Sequence, residues 1–188
     1  MTTYKEIFGK YVKNYSSDPT SDIEGQVWYN STTGVFKTNL AGAAAWASGG
    51  NMGTARQQLG GTGTQTAGLA FGGYSTANTN ATEEYDGSAW TAGGNLNTAR
   101  RNFTGAGIQT AALGFGGYIT VNVANTEEYN GTSWTNSTSM TTARRNLGGC
   151  GTQTAALGFG GFTTTEVNST EEYSGAALAV KTITTSTS

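Results

Sequence analysis

From Trp46 onward the apolar positions fall in short runs bounded by Gly, Thr, Asn and Ser, and none recurs with helical spacing over three turns. What recurs is the whole pattern. Trp46, Trp90 and Trp134 stand 44 residues apart, and so do the Thr-Ala-Arg triplets ending at Arg56, Arg100 and Arg144. The Gly pairs Gly72-Gly73, Gly116-Gly117 and Gly160-Gly161 keep that interval, as do the Glu-Glu-Tyr triplets ending at Tyr85, Tyr129 and Tyr173. A fixed period of this length means stacked copies of one supersecondary unit. Small and β-forming residues between turn residues make that unit a set of strands. Four strands are expected per copy. The first lies around Gln65, Gln109 or Gln153, and the second, apolar one covers 68–71, 112–115 or 156–159 and ends on the Gly pair. The third is Thr-Glu-Glu-Tyr, and the fourth starts at Trp90 or Trp134. The chain thus divides into residues 1–45 and repeats at about 46–89, 90–133 and 134–183.

Each landmark has a physical requirement behind it. A Gly pair after an apolar strand allows close backbone approach and φ values closed to other residues. Alternation along Thr-Glu-Glu-Tyr sends the two glutamates to opposite faces, so one must point inward and needs a cation. Arg56, Arg100 and Arg144 are the cations at hand, and pairing with carboxylates of the same or an adjacent unit is expected. The Trp rings, with Met52, Leu96 and Met140 six residues on, are expected to fill the space between neighbouring sheets. A sheet this small cannot bury both faces alone, so neighbours must stack.

Composition narrows the chemistry. Charged residues make up 12% of the 188 residues, about half the usual share, and there are 29 Gly and one Pro. Net charge is −2, with no basic patch for nucleic acid. No apolar stretch is long enough for a membrane helix, and Met1 to Lys13 carries charges where a secretion signal would be apolar. With no His, the Ser-His-Asp and Cys-His catalytic arrangements and histidine metal sites are ruled out. The lone Cys150 cannot build a zinc cluster and is expected to be a small buried residue. Gly61 to Thr64 has a phosphate-loop look but lacks the following Lys and helix. The carboxylate pairs Glu83-Glu84, Glu127-Glu128 and Glu171-Glu172 occur three times over, which points to structure; a glycosidase pair would occur once. The chain is therefore read as non-enzymatic, without cofactor or metal.

An apolar strand, a Gly pair, a Tyr, a Trp shortly after it and then an Arg together resemble the kelch blade, from Trp46 to about Ile183. Two departures stand out: the step from Tyr to Trp is only five residues, and Leu178 stands where a third-unit Trp is expected. The resemblance implies an all-β fold of kelch-like β-propeller blades. Three blades do not close a propeller, which usually has four to eight. Residues 26–29, 35–37 and 45–47 could form a degenerate fourth blade, with Asn30 to Gly34 as its hairpin turn. Two chains could instead join around a two-fold axis, or the sheets could form an open stack edged by partners. Self-assembly is the favoured expectation.

Residues 1–45 are different in kind, holding four of the five lysines. Ile7, Phe8, Tyr11, Val12 and Tyr15 suit one face of a short helix or an alternating arm, and Ser17 to Thr20 reads as a turn or linker. Tyr4 to Ile7, Ser16 to Pro19 and Glu24-Gly25-Gln26-Val27-Trp28-Tyr29-Asn30 through Gly34 resemble the N-terminal module of structural proteins of tailed phages of marine bacteria. That resemblance implies a virion component, in a tail fibre, appendage or capsid decoration, which docks on other virion proteins through residues 1–45. Its repeats would face outward.

A lectin-like module binding host glycan or another receptor is the alternative. Tyr74, Tyr118 and Phe162 follow the Gly pairs and could stack on sugar rings, with Asn80, Asn122 and Asn125 nearby. The loops 75–81, 119–125 and 163–169 vary most among the copies, as a recognition face would. Packing of those aromatics between blades is the favoured reading of the two.

Overall fold

The computed structural model describes residues 5–7, 10–19, 26–39 and 42–176. It divides into two compact units, Met1–Ala47 and Ser48–Ser188. Strands and their connections make up all of it, with no helix among the described residues.

In the first unit, β1 (Lys5–Ile7), β2 (Lys10–Tyr15), β3 (Val27–Asn30) and β4 (Val35–Thr38) form one sheet in that order. The segment holding Tyr11, Val12 and Tyr15 is extended, the second of the two forms expected; Phe8 lies outside the described residues. The Asn30–Gly34 turn forms as its residues require. Asn30 Oδ1 accepts from the N–H groups of Thr32 (3.1 Å) and Thr33 (3.0 Å), and Gly34 takes φ +72°. Asp18 ties the sheet together, accepting from Trp28 Nε1 (3.3 Å), Asn30 Nδ2 (2.8 Å) and Lys37 Nζ (2.7 Å). These donors, Lys37 foremost, hold its carboxyl below the usual aspartate range. Two features set this sheet apart from a fourth copy of the repeat: β2 and β3 pair in parallel, and residues 45–47 form no strand.

The second unit contains three sheets. Sheet I consists of β5 (Gly60–Thr64), β6 (Ala67–Phe71), β7 (Thr82–Tyr85) and β8 (Trp90–Gly93). Sheet II repeats it as β9 (Thr104–Ile108), β10 (Ala111–Phe115), β11 (Thr126–Tyr129) and β12 (Trp134–Ser137). Among the described residues sheet III has three strands, β13 (Gly148–Gly151), β14 (Ala155–Phe159) and β15 (Thr170–Ser174). Every pairing within them is antiparallel, and no sheet closes on itself. The first strand of each sheet sits earlier than expected: Gln65, Gln109 and Gln153 lie in the connections that follow it. Gly63, Gly107 and Gly151, with φ near +100°, turn the chain there. Trp90 and Trp134 close the sheets begun at Gly60 and Thr104, pairing with Tyr85 and Tyr129.

Sheet II lies between the other two, with β9 beside both β5 and β13. One core joins sheets I and II through Leu69, Phe71, Leu96, Phe103, Ala112, Tyr129 and Trp134. A second joins sheets II and III through Ala106, Leu113, Phe115, Leu147 and Ala156, with Met140 and Tyr173 packed against it. The two lists correspond at the 44-residue spacing, except that the second contains no Trp and adds Ala106, whose counterpart is Thr62. Burial of each Leu or Phe side chain among them is worth about 1.5–3 kcal/mol.

The expected Trp packing holds in the one place that has a sheet in front of it. Trp134 is 4% exposed, sits 4.8 Å from the Phe71 ring of the preceding sheet, and donates from Nε1 to Thr82 Oγ1 at 2.9 Å. Trp90 is half-buried against Tyr85 of its own sheet. Trp46 is not packed at all, at 103% exposure. The same rule corrects the expectation for Cys150, which is exposed. Its counterpart Ala106 is buried because sheet III covers sheet II, while the outer face of sheet III is bare: Phe159 is 44% exposed against 0% for Phe71.

Candidate functional site

The chemistry-bearing residues form rows that run from sheet to sheet. The innermost row is ionic. Arg56 Nη1 meets Glu83 at 2.7 Å, Arg100 meets Glu127, and Arg144 Nη2 meets Glu171 at 3.2 Å. Each arginine also donates to a β-strand carbonyl, of Ala70, Gly114 or Gly158. Arg100 and Glu127 are completely buried, and burial pulls the guanidinium pKa down against the pull of Glu127. The same glutamates accept from backbone N–H groups of the preceding linker, at Gly53, Asn97 and Thr141. They therefore act as anchors for the chain as it enters each sheet.

In the first two pairs the second glutamate does a different task. Tyr129 donates its hydroxyl to Glu84 at 2.5 Å, and Tyr173 donates to Glu128. Each bond crosses from one sheet to the next. Burial first, then Glu84, pushes the Tyr129 hydroxyl up to about 12; Tyr173 is raised by burial and Glu128 in the same way. Both glutamates of the pair are thus engaged, on opposite faces.

A third row holds the aromatic candidates. Arg101 lies over the rings of Tyr74 (4.5 Å) and Tyr118 (5.2 Å), and Arg145 over those of Tyr118 (4.8 Å) and Phe162 (4.6 Å). The arginines are held in place by Asn78 Oδ1 and Asn122 Oδ1, each at 3.2 Å from an Nη1. Those asparagines donate in turn to the Ile119 carbonyl (3.0 Å) and the Thr163 carbonyl (2.6 Å) of the next loop. Tyr74, Tyr118 and Phe162 are accordingly half-buried, each with a guanidinium on its ring. Cation–π contacts of this kind are worth roughly 0.5–2 kcal/mol. Asn80 donates to the Leu96 carbonyl at 3.0 Å, and the Asn125 carbonyl accepts from Gly116 at 3.0 Å.

Two further ties escaped the sequence reading. Gln109 Nε2 reaches back to the carbonyls of Gly68 (3.0 Å) and Tyr85 (2.8 Å), and Gln153 does the same to Ala112 (3.0 Å) and Tyr129 (2.6 Å). Asn102 and Asn146 occupy positive φ, at 56° and 54°, and their side chains bond each other at 2.7 Å. The signals were present as Arg-Arg doublets at 100–101 and 144–145 and a Gln repeated at 65, 109 and 153, but one-letter repetition carries no direction.

The Gly pairs sit where the rows converge. Gly72 takes φ +61°, and a Cβ there would lie 2.6 Å from the Phe103 ring and 2.9 Å from the Arg100 carbonyl oxygen. A cavity of about 270 Å³ opens between sheets II and III, bordered by Leu113, Phe115, Met140, Ala156, Gly158 and Tyr173.

No protein-family model matches the chain, and no curated protein matches it either.

Proposed function

We propose that this chain is a non-enzymatic structural protein of a bacteriophage particle, in a tail fibre, appendage or capsid decoration. Its repeats act as blades of a propeller-like assembly, and residues 1–45 dock on other virion proteins. The observation that carries the reading is the use of charge: the ionic, Tyr-Glu and Arg-aromatic rows all bind linker to sheet or sheet to sheet. Such rows suit a scaffold that must hold its shape outside a cell. Placement of β9 beside both β5 and β13 supports the propeller-like arrangement, because blades approach one another most closely at their first strands. The likeness of the Glu24 to Gly34 string to phage structural proteins supports the virion assignment.

Labelling purified particles of the encoding phage with antibody against the chain tests it. Decoration of particles that survives density-gradient purification is expected. Particles free of the chain sink the proposal.

A lectin-like reading keeps one supporting observation: the variable loops 75–81, 119–125 and 163–169 ride on a constant frame beside half-exposed rings. A glycan array decides it, with binding that is lost in Tyr118→Ala as the outcome in its favour.

A further inference from the structure

The two junctions inside the second unit use the same parts. At the first junction Trp134, from the later sheet's fourth strand, packs on Phe71 of the earlier sheet; the second core contains no Trp, and the parts that follow occur at both junctions. A Tyr of the later sheet bonds a Glu of the earlier one, at Tyr129–Glu84 and Tyr173–Glu128. A Gln of the later sheet reaches two carbonyls of the earlier one, from Gln109 and from Gln153. A Gly of the later sheet lies flat on the earlier Phe. A Cβ at Gly105 or Gly149 would stand 2.6 or 2.7 Å from the ring of Phe71 or Phe115.

Each of these parts exists in half at the two ends of the stack. Sheet I presents Trp90, Tyr85, Gln65 and Gly61, and among the described residues no Phe, carboxylate or carbonyl pair answers them. Sheet III presents Phe159 and Leu157, both exposed, with Glu172 and the carbonyls of Ala156 and Tyr173. These are the counterparts that the front of sheet I lacks.

The missing strand follows the same rule. Trp46–Gly49 stands 44 residues before the fourth strand Trp90–Gly93, yet it forms no strand and its indole is wholly exposed. Among the described residues sheet III has three strands, and the cavity beside it has the walls of a Trp socket. Trp134 sits among Leu69, Phe71, Leu96, Ala112 and Tyr129, and 44 residues on these become Leu113, Phe115, Met140, Ala156 and Tyr173, which border the cavity. At about 270 Å³ it exceeds the roughly 150 Å³ that accommodates a benzene ring.

We infer that the chain pairs with a second copy of itself by strand exchange, a step that rests on the structural reading above. Trp46–Gly49 of one copy adds antiparallel to β15 of the other, Trp46 opposite Tyr173, and its indole fills the socket. Sheet I of the first copy then covers the outer face of sheet III of the second. Trp90 meets Phe159, Tyr85 bonds Glu172, and Gln65 bonds the carbonyls of Ala156 and Tyr173. Ala70 stands where Gly114 and Gly158 stand, so the Phe159 ring seats a few tenths of an ångström farther out than its counterparts. The contact is head-to-tail, and made twice it closes two copies into a ring of six sheets, within the range of four to eight that propellers adopt.

The test compares the full chain, Trp46→Ala and a chain lacking residues 177–188 by light scattering, with Cys150 labelling by a maleimide as the second readout. Cys150 is exposed on the face that the second copy would cover. The full chain should have twice the 19.4 kDa chain mass and a protected thiol. Trp46→Ala, which alters a fully exposed side chain and keeps the circular dichroism of the parent, should have the single-chain mass and a reactive thiol. Removal of residues 177–188 should leave the dimer intact. A full chain that stays monomeric overturns the inference, as does a dimer indifferent to Trp46→Ala or one that dissociates when residues 177–188 are removed. An indifferent dimer refutes this junction alone; the virion reading falls only on unlabelled particles.

Discussion

Among single residues, Arg100 and Glu127 face the sharpest balance. Both are fully buried, so each charge is tolerable only beside the other. Arg100→Met should cost about 3–5 kcal/mol by leaving Glu127 uncompensated, and Arg100→Met with Glu127→Leu should recover much of that loss. Denaturant titration of the three proteins checks both outcomes. Tyr129 makes a pH prediction. Its hydroxyl is pushed up to about 12, above the ordinary tyrosine value of 10.0, so the folded state holds this proton more tightly than the unfolded chain. The associated stability is complete below pH 10 and is lost as pH rises from there through about 12. The unfolding midpoint should therefore fall more steeply over that window in the parent than in Tyr129→Phe. Equal slopes would mean that the Tyr129–Glu84 bond contributes nothing.

For a single strand, one sequence has different values in different places. β6, β10 and β14 are near-copies, yet β10 is buried almost throughout while β14 alternates buried and exposed positions. The difference is the neighbour, since among the described residues no sheet follows that of β14. Phe71→Ala should thus cost about 3–5 kcal/mol. Phe159→Ala should cost far less when measured in the Trp46→Ala background, where no second copy covers it. Chemical denaturation of the two variants decides it, and equal costs would mean that Phe159 is buried by the chain's own fold. The strands themselves were largely legible, because Gly pairs, Glu-Glu-Tyr and Trp mark strand ends by local backbone and alternation rules. The first strand was misplaced onto Gln65, Gln109 and Gln153. Those glutamines are repeated because their side chains bond the sheet before them, a demand that no local propensity expresses.

Taken as a whole, the second unit is a short stack whose centre is better supported than its ends. Amide exchange should accordingly be slowest in β10, between two covered faces, and fastest along β15, the last strand of sheet III among the described residues. Uniform protection across the three sheets would contradict that view. The sheet of the first unit obeys different rules, with a parallel β2–β3 pair and Asp18 at its hub.

The sequence by itself determined the period, the strand content, the turns at Gly and Asn, and the arginine–glutamate pairing. Each of these follows from residue type and spacing along one chain. Tertiary structure alone decided which glutamate turns to the arginine and which to the neighbouring tyrosine. It also decided that Tyr74, Tyr118 and Phe162 stack on Arg101 and Arg145, and that Trp134 is buried while Trp46 is bare. These outcomes depend on whether a sheet stands in front of a given face. Identical repeats cannot encode their own position in a stack; only the ends of the stack reveal it.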